Sequence, residues 1–494
     1  AALAPTHHFE ALKHVTRYAS GLGIFLVTIQ ATAGHLPTTN TQHSSLMTQL
    51  LWAVCLGAGL SALVGLGEAA GLPGLSSFLT LFKVGPTQVG HELRLGATFQ
   101  YATIAAMFFE MTLPLALTLA AASQTRPKRF LAVGIGGLCI VAAVLTLTRT
   151  SLVVMPVVLG LAMVLSRRPG GRPLRRPAAT LLLVFGGAVV LVTTGSPTFR
   201  VRLMTENDQA WYQAVYVAPA SVSGSTGEVL SIPITVRNTG QVTWMAAGEQ
   251  AFALSYRWLT ADGRRVYQTP LATKTMANDL APGQTATWVV ETQLEWPAGE
   301  YRLAWDMRRA DGLPLRWRGV PEAETVIQVG PGGGAAALPP TIERGEPVSD
   351  IETVSRRELW WAAWQMFVDR PLLGHGPDNF RYLYGEYLTH SEGDTRLNAN
   401  NLYLEWLADV GLIGTAAFGW LVWVVVRPLF SLIPEPVVSR RPPAALLVAG
   451  LGGSLFAFLL HGLLDAFLNF TPIYLLFWMV LGLTVAMVNT DWQN

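Results

Sequence analysis

Between Arg129 and Arg167 the chain carries a single charge, Arg149. A bilayer's hydrocarbon core takes about 20 apolar residues of helix. That stretch therefore fits two crossings joined by a turn at Arg149. The pattern recurs. Apolar stretches at 17–36, 47–67, 98–122, 129–147, 150–166, 178–195, 402–426, 443–465 and 471–489 predict about nine transmembrane helices. Charged residues make up 13% of the chain, against about 25% in a soluble domain. The reading is an α-helical polytopic membrane protein. The net charge of +2 says little about partners, and no block reads as a nucleic-acid patch, so no nucleic-acid partner is expected. Cys55 and Cys139 lie in apolar stretches, which argues against a disulfide framework.

Orientation follows from the basic residues of short loops. Arg126, Lys128 and Arg129 lie between two predicted spans. "RRPGGRPLRR" at 167–176 carries five arginines, and 427–442 holds Arg427, Arg440 and Arg441. These loops are expected on the cytoplasmic side. The segments holding Arg94, Arg149, residues 196–401 and "FLNFT" at 467–471 then face outward. The first helix starts outside and the chain begins at Ala1, so further helices are expected upstream.

Four regions follow: N-terminal helices over 1–200, an outward β-rich insert over 214–330, a linker and outward loop over 331–400, and C-terminal helices over 401–494. Within 214–330, "VLSIPITVRNTG" and "AFALSYRWLTADG" alternate apolar and polar residues between Asn-Thr-Gly and Asp-Gly turns. The spacing fits an all-β, immunoglobulin-like sandwich. Trp244, Trp258, Trp288 and Trp305 at strand spacing read as core rather than as a sugar-binding surface. "GPGGGAAALPP" at 330–340 reads as a flexible linker. "SRRELWWAAWQMF" at 355–367 reads as an amphipathic helix suited to the membrane interface.

Polar groups gather at the outward ends: "LRLGATF" at 93–99, "LTRTS" at 147–151, "GHGPDNF" at 374–380 and "NANN" at 398–401. Arginine at membrane depth costs about 2.5 kcal/mol or more, and a lone one snorkels to the headgroups. Several together fit a lipid-linked phosphate or pyrophosphate, because guanidinium pairs bidentately with phosphate oxygens. The Gly/Pro-rich turn at 374–380 is either a plain structural turn or a cradle of backbone N–H groups for a phosphate or sugar. His461 and Asp465 stand at i,i+4 near the outer end of a span. They are either a helix-packing pair or functional.

"DRPLLGHGPDNFRYLY" followed by "NANNLYLEWLADVGLIG" resembles the carboxy-terminal signature of the O-antigen ligase and polymerase (Wzy-C-like) family. "RLGATF" and "TRTS" resemble its earlier arginine motifs, and "RRELWWAAWQMF" its helix before the signature. The resemblance covers roughly 90–200 and 341–489. It implies a GT-C-like membrane fold and a metal-independent, inverting glycosyltransferase with no cofactor. Such an enzyme moves a glycan from an undecaprenyl-pyrophosphate carrier to a saccharide, lipid A core or protein acceptor. The location implied is the outer face of the bacterial cytoplasmic membrane, among its lipids. Arg94, Arg149 and Arg356 fall on the arginine positions. Gly374, Gly376, Asn379, Arg381, Asn400, Asn401 and Asp465 are the expected substrate contacts. Where the family box opens with histidine, this chain has Asn398, which orients a hydroxyl but is no base near neutral pH. His375, His461 and His390 are the candidate replacements. A protein O-oligosaccharyltransferase shares the donor. A non-catalytic lipid-linked glycan binding or transport protein is the alternative of another class.

Overall fold

The computed structural model describes residues 7–33, 41–81, 83, 87–89, 92–167, 169–204, 211–248, 251–262, 265–266, 273–309, 314–318, 320–331, 356–388, 397–432, 442–466, 468 and 470–492. It divides into two units, residues 1–199 with 356–494, and residues 200–355. His390, one of the candidate replacements, and the linker beyond Pro331 lie outside the described residues.

The first unit is helical. Helices α1 (His8–Ala33), α2 (Thr41–Ala69) and α3 (Leu75–Leu79) lead to a hairpin of β1 (Thr87–Val89) and β2 (Glu92–Arg94). Then come α4 (Ala102–Ala122), α5 (Arg126–Leu145), α6 (Ser151–Leu165), α7 (Arg175–Gly195) and α8 (Pro197–Met204). After the second unit follow α9 (Arg356–Asp369), α10 (Phe380–Tyr387), α11 (Leu402–Leu432), α12 (Pro442–His461) and α13 (Thr471–Trp492).

Five helices among the described residues are long and apolar enough to cross a membrane, by length and composition: Leu46–Ala69, Ala102–Ala122, Arg126–Leu145, Gly171–Gly195 and Leu402–Arg427. All nine expected spans fall on helices, and five of them meet this measure. The other four candidates are helices too: α6 is a 15-residue apolar helix, and the described apolar stretches of α12 and α13 are Leu446–His461 and Thr471–Met487. At about 1.5 Å per residue, α6 falls short of a hydrocarbon core. In α1 the first half carries Glu10, Lys13, His14 and Arg17, which leaves too short an apolar run.

Helix α4 is the centre of the unit. It is apolar all round and is buried over nearly its whole length, as such a helix must be. Helix α12 packs closely on it, since a Cβ at Gly453 would press on Pro114 and one at Gly450 on Thr118. Thr118 Oγ1 also donates to Leu446 O at 3.2 Å. Helix α5 returns along α4, and the Leu95 amide donates to Leu145 O at 3.0 Å. The Arg94 hairpin and the Arg149 turn therefore share one end of the bundle. The basic 123–129 loop lies at the other.

The second unit is a separate β-sheet region. Its strands are β3 (Ala214–Val217), β4 (Ser221–Ser225), β5 (Val229–Asn238), β6 (Phe252–Thr260), β7 (Arg265–Val266), β8 (Thr273–Thr275), β9 (Thr285–Gln293), β10 (Gly299–Arg309) and β11 (Ala323–Gly330). One sheet runs β4-β11-β10-β6-β7 with β8 also on β6, and the other runs β3-β5-β9. Pairing is antiparallel except between β4 and β11. Strand β5 buries Leu230, Ile232, Ile234 and Val236 and exposes the residues between them, the period-2 pattern seen in its sequence. Trp244, Trp258 and Trp305 are fully buried. Trp288 is half-buried, with Nε1 donating to Thr275 O at 3.0 Å.

Candidate active site

Two polar clusters lie in the helical unit. The first joins the Arg94 hairpin, the α5–α6 turn, the start of α9 and the end of α12. Arg94 Nε donates to Thr146 O at 2.9 Å, and Nη2 to Thr148 Oγ1 at 3.2 Å. Thr146 Oγ1 donates in turn to Thr148 Oγ1 at 2.8 Å. The turn is tight enough to put Leu147 at φ 54°. Burial pulls the Arg94 guanidinium down to about 10. Nearby Asp465 opposes that shift, and nearby Arg149 and Arg356 add to it. Arg94 stays cationic at neutral pH. Arg149, Arg356 and Asp465, brought from three distant segments, thus each lie within electrostatic reach of Arg94.

Asp465 holds this cluster to the membrane helices. Its Oδ1 lies 3.7 Å from Arg356 Nη2, and its Oδ2 lies 3.3 Å from His461 Nε2. The other ring nitrogen, His461 Nδ1, lies 2.6 Å from Glu110 Oε2. Ser151 Oγ donates to Glu110 Oε1 at 2.6 Å. A line of groups therefore runs from Ser151, beside the Arg149 turn, through Glu110 and His461 to Asp465 and Arg356. His461 and Glu110 are fully buried. Glu110 has no place in the sequence reading, although a lone carboxylate inside "MFFEMTLPL" is a signal, because an ionisable residue within a span marks a site.

The asparagine cluster sits beside the first group. Asn398 Oδ1 accepts from the Asn400 amide at 3.0 Å, and its Nδ2 donates to Ala466 O at 3.3 Å, one residue from Asp465. Asn401 caps α11: its Oδ1 accepts from the Tyr403 and Leu404 amides, each at 3.0 Å. Its Nδ2 donates to Leu463 O at 2.9 Å. Asn400 takes the left-handed region at φ 48° that the turn into the helix needs. Asn401, expected to contact substrate, instead binds the chain to itself.

The second cluster is the 374–380 turn seated on α11. Asp409 accepts the Asp378 amide on Oδ2 and the Phe380 amide on Oδ1, each at 2.8 Å. The His375 and Gly376 amides donate to Ala408 O and Asp409 O at 3.0 and 2.7 Å. Opposite them, the Leu412 and Ile413 amides donate to Pro371 O and Leu372 O. Gly411 breaks the helix at φ 64°, and a Cβ there, or at Gly374, would run into the facing backbone. Of the two readings of this turn, the plain structural turn fits: Asp409 and the α11 carbonyls take up the His375, Gly376, Asp378 and Phe380 amides.

The remaining expected residues belong to this second cluster. Asn379 is fully buried, and its Nδ2 donates to His375 O at 2.6 Å. Arg381 pairs with Asp378 at 2.5 Å and with Glu10 at 3.5 Å. Burial raises the Asp378 carboxyl above its usual range, opposed by His14 and Arg381. His375 Nε2 lies 3.1 Å from Met366 O, and burial lowers its pKa. The charged neighbours of His375 are Arg370, Asp369 and Glu386, not the arginine cluster.

The first cluster sets three arginines and a histidine against the two carboxylates of Asp465 and Glu110 at one end of an apolar helical bundle. Residues 340–419 match the family model described as O-Antigen ligase (Wzy_C), which supports assignment of the chain to an O-antigen ligase-like family. None of the curated proteins matches the chain. Two crystal structures of a β-glucosidase from Listeria innocua, one in complex with isofagomine, align at 16% identity over 26% of this chain. The chain covers 16% and 17% of theirs, with TM-scores of 0.16 and 0.17. At those scores the likeness says nothing of fold or activity.

Proposed function

We propose that this protein transfers a glycan from an undecaprenyl-pyrophosphate carrier to an acceptor at the outer face of the bacterial cytoplasmic membrane. The transfer inverts the anomeric centre and needs no metal. The observation that carries this reading is the gathering of Arg149, Arg356 and Asp465 near Arg94, with Arg356 beside Asp465. A pyrophosphate leaving group gains charge as the sugar–phosphate bond breaks, and preorganised cations stabilise it. The O-antigen ligase family match supports glycan transfer of this general kind. A saccharide chain, lipid A core or protein hydroxyl is the acceptor. The β-sheet region is an immunoglobulin-like module that acts as a spacer or docking unit.

The test is incubation of the full chain, in nanodiscs, with undecaprenyl-pyrophosphate-linked glycan and each acceptor class. Transfer to one class supports the reading and names the acceptor. A donor that neither binds nor turns over refutes it. The amide at Asn398, where the family has histidine, favours a second reading: a binding or transport protein that holds the donor without transferring it. Tight binding with no transfer to any acceptor selects that one.

A further inference from the structure

An inverting displacement needs a group to take the proton of the attacking hydroxyl, and Asn398 cannot take it. Of the two described histidines offered as replacements, one is placed elsewhere and the other is fully engaged. His375 sits in the second cluster against Met366 O and Asp369. His461 is completely buried, with a carboxylate oxygen at each ring nitrogen. Asp465 differs from both. One of its oxygens rests on His461, and the other faces Arg356, whose side chain is 36% exposed. Asn398 is bonded to the carbonyl of the very next residue, Ala466.

We propose that Asp465 accepts the acceptor proton, and that Glu110 is a positioning residue that fixes His461 so that His461 fixes Asp465. This rests on the glycan-transfer reading above. The acceptor oxygen forms a bond to the anomeric carbon while the bond from that carbon to the carrier phosphate breaks. The electron pair leaves with the pyrophosphate, and the hydroxyl proton passes to the Asp465 carboxylate. A carboxylate suffices for such a step, since inverting glycosidases use one as their base. Glu110 also holds Ser151, which starts the helix after the Arg149 turn. One buried carboxylate therefore orients both the proton acceptor and the turn that carries a phosphate-binding arginine.

The test uses the full chain in nanodiscs with labelled undecaprenyl-pyrophosphate-linked glycan, and measures donor binding and turnover separately. Asp465→Asn should lower kcat by about 10²–10⁴-fold, the range of a general base, with donor affinity changed less than about 3-fold. Asp465→Glu should retain part of the activity. Adding Asn398→His to Asp465→Asn should recover at least about tenfold, because it returns a base to the neighbouring position. Glu110→Gln should lower kcat by about 10–100-fold without raising the donor KM, as loss of an orienting partner does. It also serves as the test if Asp465→Asn does not fold. If the wild type transfers and neither Asp465→Asn nor Glu110→Gln lowers kcat by more than about 3-fold, the assignment is overturned while the glycan-transfer reading stands. If the wild type transfers to no acceptor, that reading falls and this one falls with it.

Discussion

Replacing Asp409 by alanine tests the claim that the 374–380 turn is a scaffold rather than a ligand cradle. The carboxylate accepts the Asp378 and Phe380 amides, each at 2.8 Å, and both residues are buried. Alanine strands two N–H groups. Each stranded buried donor costs about 1–3 kcal/mol, so the expected loss is about 2–6 kcal/mol. Asp409→Asn keeps one acceptor oxygen and should lose about half as much.

The assay is denaturant-induced unfolding in mixed micelles, with hydrogen exchange read over residues 374–381. Opening of the turn should dominate the exchange pattern, because the α11 carbonyls still hold the His375 and Gly376 amides. If Asp409→Ala costs less than about 1 kcal/mol, and the amides of 378 and 380 exchange as before, the carboxylate is not the anchor and the reasoning fails. If Asp409→Asn costs as much as alanine, the charge rather than the two acceptors is the stabilising feature.

Three further outcomes are expected. Arg94→Lys and Arg149→Lys should each lower glycan transfer by roughly 10²-fold or more with the fold intact, since lysine lacks the planar fork; full activity in a transfer assay would sink the pyrophosphate assignment. Gly411→Ala should destabilise the helical unit by about 1–3 kcal/mol or more, because φ 64° is strained for alanine and its Cβ meets the backbone at Leu372; an unchanged unfolding free energy would refute that. In the β-sheet region, burial holds the Asp306 carboxyl up at about 6, against the lowering influence of Arg316. Being raised, its contribution is complete below about 3.8, the unfolded value, and is lost as pH rises through about 6. Hydrogen exchange in β10, corrected for its intrinsic pH dependence, should show protection falling across that window, and Asp306→Asn should flatten the slope.

The helices and the β-sheet region were legible because their signals are periodic and local. Apolar runs and Gly-bounded strand alternation depend only on neighbours in sequence. Arg94, Arg149 and Arg356 were legible as candidates from their place beside spans, but their convergence was not, since it depends on how α4, α5, α9 and α12 pack. The His461–Asp465 pair could be read at i,i+4. Its third member, Glu110, lies 351 residues away, and nothing local links it to His461. The asparagines misled in one respect. An amide cluster reads equally as a sugar contact or as a helix cap, and only the partners of Asn401 decide that it caps α11. The 374–380 turn was equally open between a structural turn and a cradle, and the acceptor of its amides is the protein's own Asp409.

These two outcomes separate the scaffold from the chemistry. The family match spans 340–419. Within it, most of the signature is spent on seating a turn on a broken helix: Gly374 and Gly411 let two backbones meet, and Asp409 closes the turn. Arg94, Glu110, Arg149, His461 and Asp465 all lie outside that stretch, and of the first cluster only Arg356 and Asn398 lie within it. The signature therefore constrains where α11 starts and how its loop meets the end of α12, through Asn398 on Ala466 and Asn401 on Leu463. Asn398 makes its part of that docking through its side-chain amide, which donates to the Ala466 carbonyl. On the proposed mechanism the loop needs no base at position 398, because its amide is bonded to Ala466, the residue after the proposed proton acceptor Asp465.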